Sequence, residues 1–259
     1  MPKQRLDILL VERGLAESRT KAQALIMAGQ VRVDGQTALR PASLLPTDSV
    51  LTVESGPRFV SRGGEKLDAA FKAFPLDVQG KICADVGAST GGFTDCLLQH
   101  GAAKVYAIDV GKGLLDWKLR NDPRVVVMEE TNARYISSLL EVVDFITIDA
   151  SFISLKILLP VVKRWSAPHV ASVVALIKPQ FEAGRKISAR GQGVIRDPMV
   201  HQQVLFEVLT FAQKQGWQVQ GLIKSPLVGP KGNVEFLVWL GEETAADLAT
   251  LIKRVTGCE

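Results

Sequence analysis

The sequence predicts an α/β fold: a doubly wound domain of seven strands, preceded by a smaller α+β unit. Two observations carry this. Apolar runs of strand length recur near residues 82–86, 105–108, 124–128, 142–148, 171–177, 217–223 and 234–240, with helical patterns between them at 93–100, 154–164 and 198–214. The first run ends in a glycine loop, Asp85-Val86-Gly87-Ala88-Ser89-Thr90-Gly91-Gly92-Phe93, and the second ends in a carboxylate, Asp109. A doubly wound domain builds a nucleotide-type site in this way. Glycine lets the backbone approach the ligand, and an acid at the tip of the second strand can accept both ribose hydroxyls.

The whole chain sets the bounds. Its 259 residues, 47% hydrophobic and 22% charged, suit one medium domain plus a small one. A net charge of +4 is compatible with a nucleic-acid partner but does not demand one. Cys83, Cys96 and Cys258 are too scattered for a disulfide framework, and His100, His169 and His201 lack metal-ligand spacing. No metal is expected. The N-terminus has no signal-peptide pattern, and no apolar run approaches the roughly 20 residues of a membrane span. The expectation is a soluble, cytoplasmic monomer without a membrane partner.

Residues 1–55 form the small unit. Leu6, Leu9 and Leu10 predict a short helix ending at Gly14. Ser18 is placed to cap a second helix, from Arg19 to Ala28, whose inner face is Ala22, Leu25 and Ile26, with Gly29 as the stop. Val31-Arg32-Val33 alternates and turns at Asp34-Gly35, a hairpin signal, and a strand from Ser49 to Val53 closes the unit. Breakers over 56–62 read as a linker to the main domain, 63–259. There a helix from Glu65 to Ala73 precedes the first strand. Asp197 and Pro198 mark the N-cap and first turn of the helix at 198–214, and a last short helix runs from Thr244 to Val255.

The loop chemistry narrows the ligand. A phosphate-gripping loop needs Lys-Ser/Thr after its last glycine, and Phe93-Thr94 stands there instead. The Gly-x-Gly-x-x-Gly spacing that makes room for a pyrophosphate is also missing. S-adenosylmethionine has no phosphate. Its ribose, adenine and amino-acid tail suit Asp85 before the loop, the close-approach glycines and Asp109. A tight strand-to-helix turn in some other α/β enzyme stays open on this motif alone.

Four ionisable residues sit where apolar elements begin or end: Lys66, Asp149, Lys178 and Glu235. Ligands of such sheets bind beyond the carboxyl ends of the strands, which would bring Asp149 and Lys178 to one crevice. A lysine is a poor base unless its surroundings favour the neutral amine. One so tuned could take the proton of a ribose hydroxyl as the oxygen attacks a sulfonium methyl. Each lysine taken singly is an ordinary surface cation; together they read as catalytic.

These residues resemble the Lys-Asp-Lys-Glu tetrad of FtsJ-like RNA 2′-O-methyltransferases. The stretches Ser61-Arg62-Gly63-Gly64-Glu65-Lys66-Leu67, Asp149-Ala150-Ser151-Phe152-Ile153-Ser154, Lys178-Pro179-Gln180-Phe181-Glu182 and Lys231-Gly232-Asn233-Val234-Glu235 resemble its TlyA branch, also called hemolysin A. Ser18-Arg19-Thr20-Lys21-Ala22 through Gly35 resembles the S4 RNA-binding domain. The resemblance implies a Rossmann-like domain that methylates a ribose of ribosomal RNA with S-adenosylmethionine. It casts Lys178 as the base or its direct partner, with Asp149 and Lys66 setting its protonation and Glu235 holding Lys66 or the ribose. It puts Asp85, Gly87, Ala88, Ser89, Gly91, Gly92, Phe93 and Asp109 on the cofactor, and Asn132 on the adenine edge. Members modify the large-subunit RNA alone or both subunits, and short extensions at the chain ends are thought to matter; the large subunit is favoured here. Relatives often carry Arg-x-Trp-Val between the domains, where this chain reads Arg58-Phe59-Val60.

Two readings from other classes stand beside this one. A hemolysin-like membrane-active protein would need a spanning or strongly amphipathic basic helix, and neither is evident. A noncatalytic ribosome-binding or assembly factor would keep the fold and dispense with the charged residues. Charge alone does not support RNA binding: residues 1–56 hold seven Lys/Arg against six Asp/Glu. Placement decides. Arg5, Arg19, Lys21 and Arg32 could share a phosphate-binding face, with Arg62 beside the catalytic stretch. Arg185 and Lys186, with Arg190 and Arg196, could form a basic loop next to Lys178.

Overall fold

A computed structural model describes residues 2–54, 56–166, 172–184, 191–241 and 247–257. Contacts divide the chain into two compact units, Met1–Arg58 and Phe59–Glu259. Arg185, Lys186, Arg190, His169 and Cys258 lie outside the described residues. Among the described residues, no helix is long and apolar enough to cross a membrane.

The first unit runs β1 (Lys3–Arg5), α1 (Leu6–Glu12), α2 (Arg19–Met27), β2 (Val31–Val33), β3 (Gln36–Thr37), β4 (Leu44–Pro46) and β5 (Leu51–Val53). Ser18 caps α2 by accepting from the Lys21 N–H. Asp34 and Gly35 both take positive φ (49° and 82°), which turns β2 into β3 with the twist a two-residue hairpin needs. Strand order is β3-β2-β5, with β1 and β4 as a separate antiparallel pair. Leu6, Leu10, Ala22, Ile26 and Val31 are fully buried beneath the two helices. Each of the larger side chains there contributes roughly 1.5–3 kcal/mol of burial. β1 and β4 were not anticipated, because Lys3-Gln4-Arg5 is wholly polar and Leu44-Leu45-Pro46 does not alternate.

The second unit opens with α3 (Gly63–Ala73) and then follows the expected order. Its strands are β6 (Ile82–Val86), β7 (Lys104–Ile108), β8 (Val125–Met128), β9 (Phe145–Ile148), β10 (Ser172–Ile177), β11 (Gln218–Lys224) and β12 (Phe236–Gly241). The helices between and after them are α4 (Gly92–Gln99), α5 (Trp117–Arg120), α6 (Leu155–Val162), α7 (Pro179–Glu182), α8 (Pro198–Lys214) and α9 (Leu248–Thr256). The sheet order is β11-β12-β10-β9-β6-β7-β8. β6 to β10 pair in parallel, and β12 runs antiparallel to both neighbours. One core layer joins α6, α8 and α9 to the sheet, and the other joins α3, α4 and α5. With both faces covered, the parallel strands need no polar alternation, and so they read as largely apolar runs.

The one reversed strand matters for the site. β10 and β12 pair in a register that sets Ile177 opposite Phe236. Lys178, just past the end of β10, and Glu235, just before the start of β12, are therefore neighbours at one edge of the sheet. That edge also holds the carboxyl ends of β6, β7 and β9. The division between units falls inside the expected 56–62 linker. Phe59 is only 3% exposed, and a Cβ on Gly64 would collide with its ring, while the Val60 N–H donates to Asp95 at 2.9 Å. Residues from 59 onward are thus anchored in the second unit. The last helix starts at Leu248 rather than Thr244, since Asp247 caps it, and 242–246 fall outside the described residues.

Candidate functional site

The glycine loop is built by backbone conformation. Gly87 takes φ 85°, and a Cβ there would lie 2.8 Å from the carbonyl oxygen of Asp149, so only glycine lets the β6 and β9 ends approach. Gly91, at φ 94°, turns the chain into α4 as its N-cap. It lies against Leu115 and Leu119 and lines neither cavity described below, so its part is to turn the loop. Ser89 takes φ 50°, and its N–H donates to Asp109 Oδ2 at 2.8 Å; the Gly111 N–H donates to Oδ1 at 2.7 Å. The acid at the tip of β7 is thus held in place by backbone donors.

Beside it opens a cavity of about 700 Å³, bounded by Asp109, Asn132, Ile108, Leu114 and Ile153. Its size and mix of apolar walls with a few polar groups suit a nucleoside. Asn132 accepts from the Arg134 N–H at 3.1 Å, capping a short 3-10 turn at Ala133–Tyr135. A second cavity, of about 360 Å³, adjoins the first: Gly87, Ser89, Asp149 and Ser151 line both. Ala88, Gly92 and Phe93 border this smaller one, though Phe93 is only 3% exposed and packs mainly into the core.

The structure corrects one placement. Asp85 does not face the ligand space. It is fully buried behind the loop, accepting from Thr94 Oγ1 at 2.7 Å and Thr147 Oγ1 at 2.9 Å. Burial pushes its carboxyl up to about 7, against the pull of those two hydroxyls. It ties α4 to β9 and thereby supports both cavities from behind.

All four ionisable residues line the smaller cavity. They form two ion pairs. Lys66 Nζ donates to Glu235 Oε2 at 2.6 Å, with side chains 12% and 2% exposed. Lys178 Nζ lies 2.7 Å from Asp149 Oδ1, 2.9 Å from Ser151 Oγ and 3.4 Å from the Asp149 carbonyl oxygen, with side chains 10% and 20% exposed. Two partly buried amines, each with its own carboxylate, therefore face one small space next to a nucleoside-sized one. Arg62, exposed at the start of α3, borders the same cavity.

Sequence reasoning missed the residues that surround the second pair. Phe152 is 90% exposed at the mouth of the larger cavity, in the left-handed region at φ 64°. A bulky side chain rarely sits there without a compensating role. Its ring lies 5.0 Å from that of Phe181. No sequence signal reports such a backbone angle. In the first unit, Arg5 and Arg19 both pair with the fully buried Asp7 at 2.9 Å while their side chains stay 36% and 54% exposed. Arg32 pairs with Glu54 and donates to Thr37, and Lys21 is exposed.

Comparison with known proteins places the chain. The model of the FtsJ-like methyltransferase family matches residues 59–242, and that of the S4 domain matches 4–51. YqxC of Bacillus subtilis, provisionally named an rRNA methyltransferase, is 50% identical over 93% of this chain and 87% of its own. The 16S/23S rRNA (cytidine-2′-O)-methyltransferase TlyA of Mycobacterium tuberculosis is 48% identical over 93% and 90%. A solved structure from Streptococcus thermophilus, provisionally named a hemolysin, is 43% identical and covers 99% of this chain and 95% of that one, with a TM-score of 0.74.

Proposed function

This chain belongs to the TlyA branch of the FtsJ-like methyltransferases, with an S4 domain ahead of the catalytic unit, and from that membership we propose that it methylates a ribose 2′-hydroxyl of ribosomal RNA using S-adenosylmethionine. The observation that carries the reading is the pair of Lys–carboxylate bridges in a small cavity sharing its wall with a nucleoside-sized one.

The residues present fit the cofactor. Asp109 offers two carboxylate oxygens at the tip of β7, Asn132 an amide, and Ile108 and Leu114 an apolar bed for adenine. The loop from Gly87 to Gly92 supplies close backbone and no cation for a phosphate. When bound, S-adenosylmethionine supplies a methyl group already activated by its positive sulfur. What remains for the protein is to orient the ribose and to move one proton.

Lys178 is the group to which the 2′-hydroxyl proton goes. Its Nζ donates to Ser151 Oγ at 2.9 Å and lies 2.7 Å from Asp149 Oδ1, which holds it at the wall of the cavity. Lys66, held by Glu235, lines the same cavity and presents an N–H donor to the ribose. Asp149 stabilises the ammonium that forms on Lys178 once the proton arrives. Phe152 gives an exposed aromatic face on which an unstacked base can lie, as chemistry on a nucleotide taken out of its stack requires. The exposed Lys21 and Arg62 supply phosphate contacts, while Arg5 and Arg19 are held by Asp7 and Arg32 by Glu54.

Labelled S-adenosylmethionine incubated with 50S and 30S subunits lacking the modification tests the reading. The expected result is label in 23S RNA as a ribose methyl, with or without 16S. Label in a base, or none in either subunit, overturns it.

A further inference from the structure

The loop after β9 and the segment after β10 are joined at more places than the catalytic pair. Their contacts advance together along the two stretches. Lys178 meets Asp149 and Ser151; the Phe181 ring lies 5.0 Å from Phe152; and Glu182 meets Ser154 and Leu155. The last of these is the most specific. Glu182 Oε2 accepts from Ser154 Oγ at 2.6 Å, and Oε1 accepts from the Leu155 N–H at 2.7 Å. Ser154 is at once the N-cap of α6, accepting from the Lys156 N–H at 3.1 Å.

The physical consequence follows from the ends of α6. The Leu155 N–H is one of the first-turn donors that lack a partner within the helix, and a carboxylate there also meets the positive end of the helix dipole. Glu182 therefore fastens the end of the loop that begins at Asp149 to the end of the segment that begins at Lys178. Between these two fixed ends only residues 150–153 remain on one side and 179–181 on the other. The loop also holds Phe152 at positive φ, a conformation that persists only where neighbours enforce it. Burial raises the Glu182 carboxyl, against the pull of Ser154 and the Leu155 N–H.

We propose that Glu182 is a positioning residue: by locking Ser154 and Leu155 it holds Asp149, Ser151 and Phe152 in reach of Lys178. Glu182 touches neither cavity and takes no part in the proton transfer. The inference rests on the reading of Lys178 and Asp149 as the reacting pair.

Glu182→Ala and Glu182→Gln separate positioning from folding. For the folded Ala variant the expected kcat is lower by about ten- to a hundredfold, the loss that a displacement of about 1 Å produces. KM for S-adenosylmethionine and for the subunit should stay within about threefold. Gln, which keeps the reach and one acceptor, should recover most of the loss. Hydrogen exchange needs no activity, and it should show faster exchange at 150–155 in the Ala variant and near wild-type protection elsewhere. A folded Ala variant with wild-type kcat and unchanged exchange at 150–155 overturns the proposal. So does a fall in kcat that only tracks the folded fraction. Should Glu182→Ala not fold, Ser154→Ala removes the shorter of the two bonds and is expected to show the same split between kcat and KM. If the wild-type protein itself transfers no methyl, the functional reading fails, while the exchange measurement still decides whether Glu182 orders the loop.

Discussion

Both units place a carboxylate beneath cations, with different results. In the first, Asp7 is fully buried and accepts from Arg5, Arg19 and Gln23, so one acid gathers three donors and no oxygen faces a cavity. In the second, two acids each hold one lysine, and every partner lines the same small space. The first arrangement is satisfied within the fold. The second keeps an amine within reach of a ligand. An ion pair is therefore read as structural or chemical from what its exposed side faces, and distance alone cannot separate the two.

The largest expected effect is on the second arrangement. Asp149→Ala should lower turnover by a hundredfold or more, within the 10²–10⁴ range of a lost acid–base group, while thermal stability stays near wild type. A matched loss of stability would mean that the pair is structural, and the contrast would fail. Asp7→Ala should do the reverse. It should cost about 2 kcal/mol, a loss limited because Arg5 and Arg19 can regain water, and leave turnover of subunits by the folded protein intact. Arg5 first, then Gln23 and Arg19, hold the Asp7 carboxyl well below the usual range, although burial opposes them. A depressed acid stabilises above its unfolded value and loses that contribution as pH falls through the folded one. Acid unfolding of wild type should accordingly begin below about pH 4 and be blunted in Asp7→Ala, as monitored by circular dichroism.

Phe152→Ala comes next. Loss of one stacking face should weaken subunit binding by about 1–3 kcal/mol, and leave S-adenosylmethionine binding by calorimetry within about threefold. Equal loss of both would mean that Phe152 shapes the cofactor cavity. The effect expected at Asp85 is on stability alone. Its raised carboxyl gives stability that is present below the unfolded value and lost as pH rises through about 7. Asp85→Asn should flatten the fall in melting temperature between about pH 4 and 7; an unchanged slope would place the titrating group elsewhere.

Much of this was legible in the sequence, and the reasons differ by element. The parallel strands of the large sheet show as apolar runs because both faces are covered, while β11 at the edge alternates at Gln218 and Gln220. Asp197 and Ser18 show as caps because capping is a local interaction. The one-turn helices α5 and α7 are too short to carry a period, and neither β1 nor β4 alternates. The four ionisable residues could be singled out, and the resemblance offered Glu235 as holding Lys66 or the ribose; spacing alone could not choose, because Lys66 and Glu235 are 169 positions apart. Asp85 looked like a ligand contact because the motif places an acid there, yet alternation within β6 turns it toward Thr94 and Thr147. The Arg5–Asp7–Arg19 cluster was hidden for the same reason, since a sum of charges says nothing about which ones are spent on each other.

The central claim is that Lys178 receives the ribose proton. The most direct test is single-turnover ribose methylation of unmodified 50S subunits as a function of pH, with wild type and Lys178→Ala at saturating S-adenosylmethionine. The account expects the variant to bind the donor yet react at least a hundredfold more slowly, with a pH profile unlike that of wild type. A variant that keeps the wild-type rate and the wild-type pH profile would contradict it.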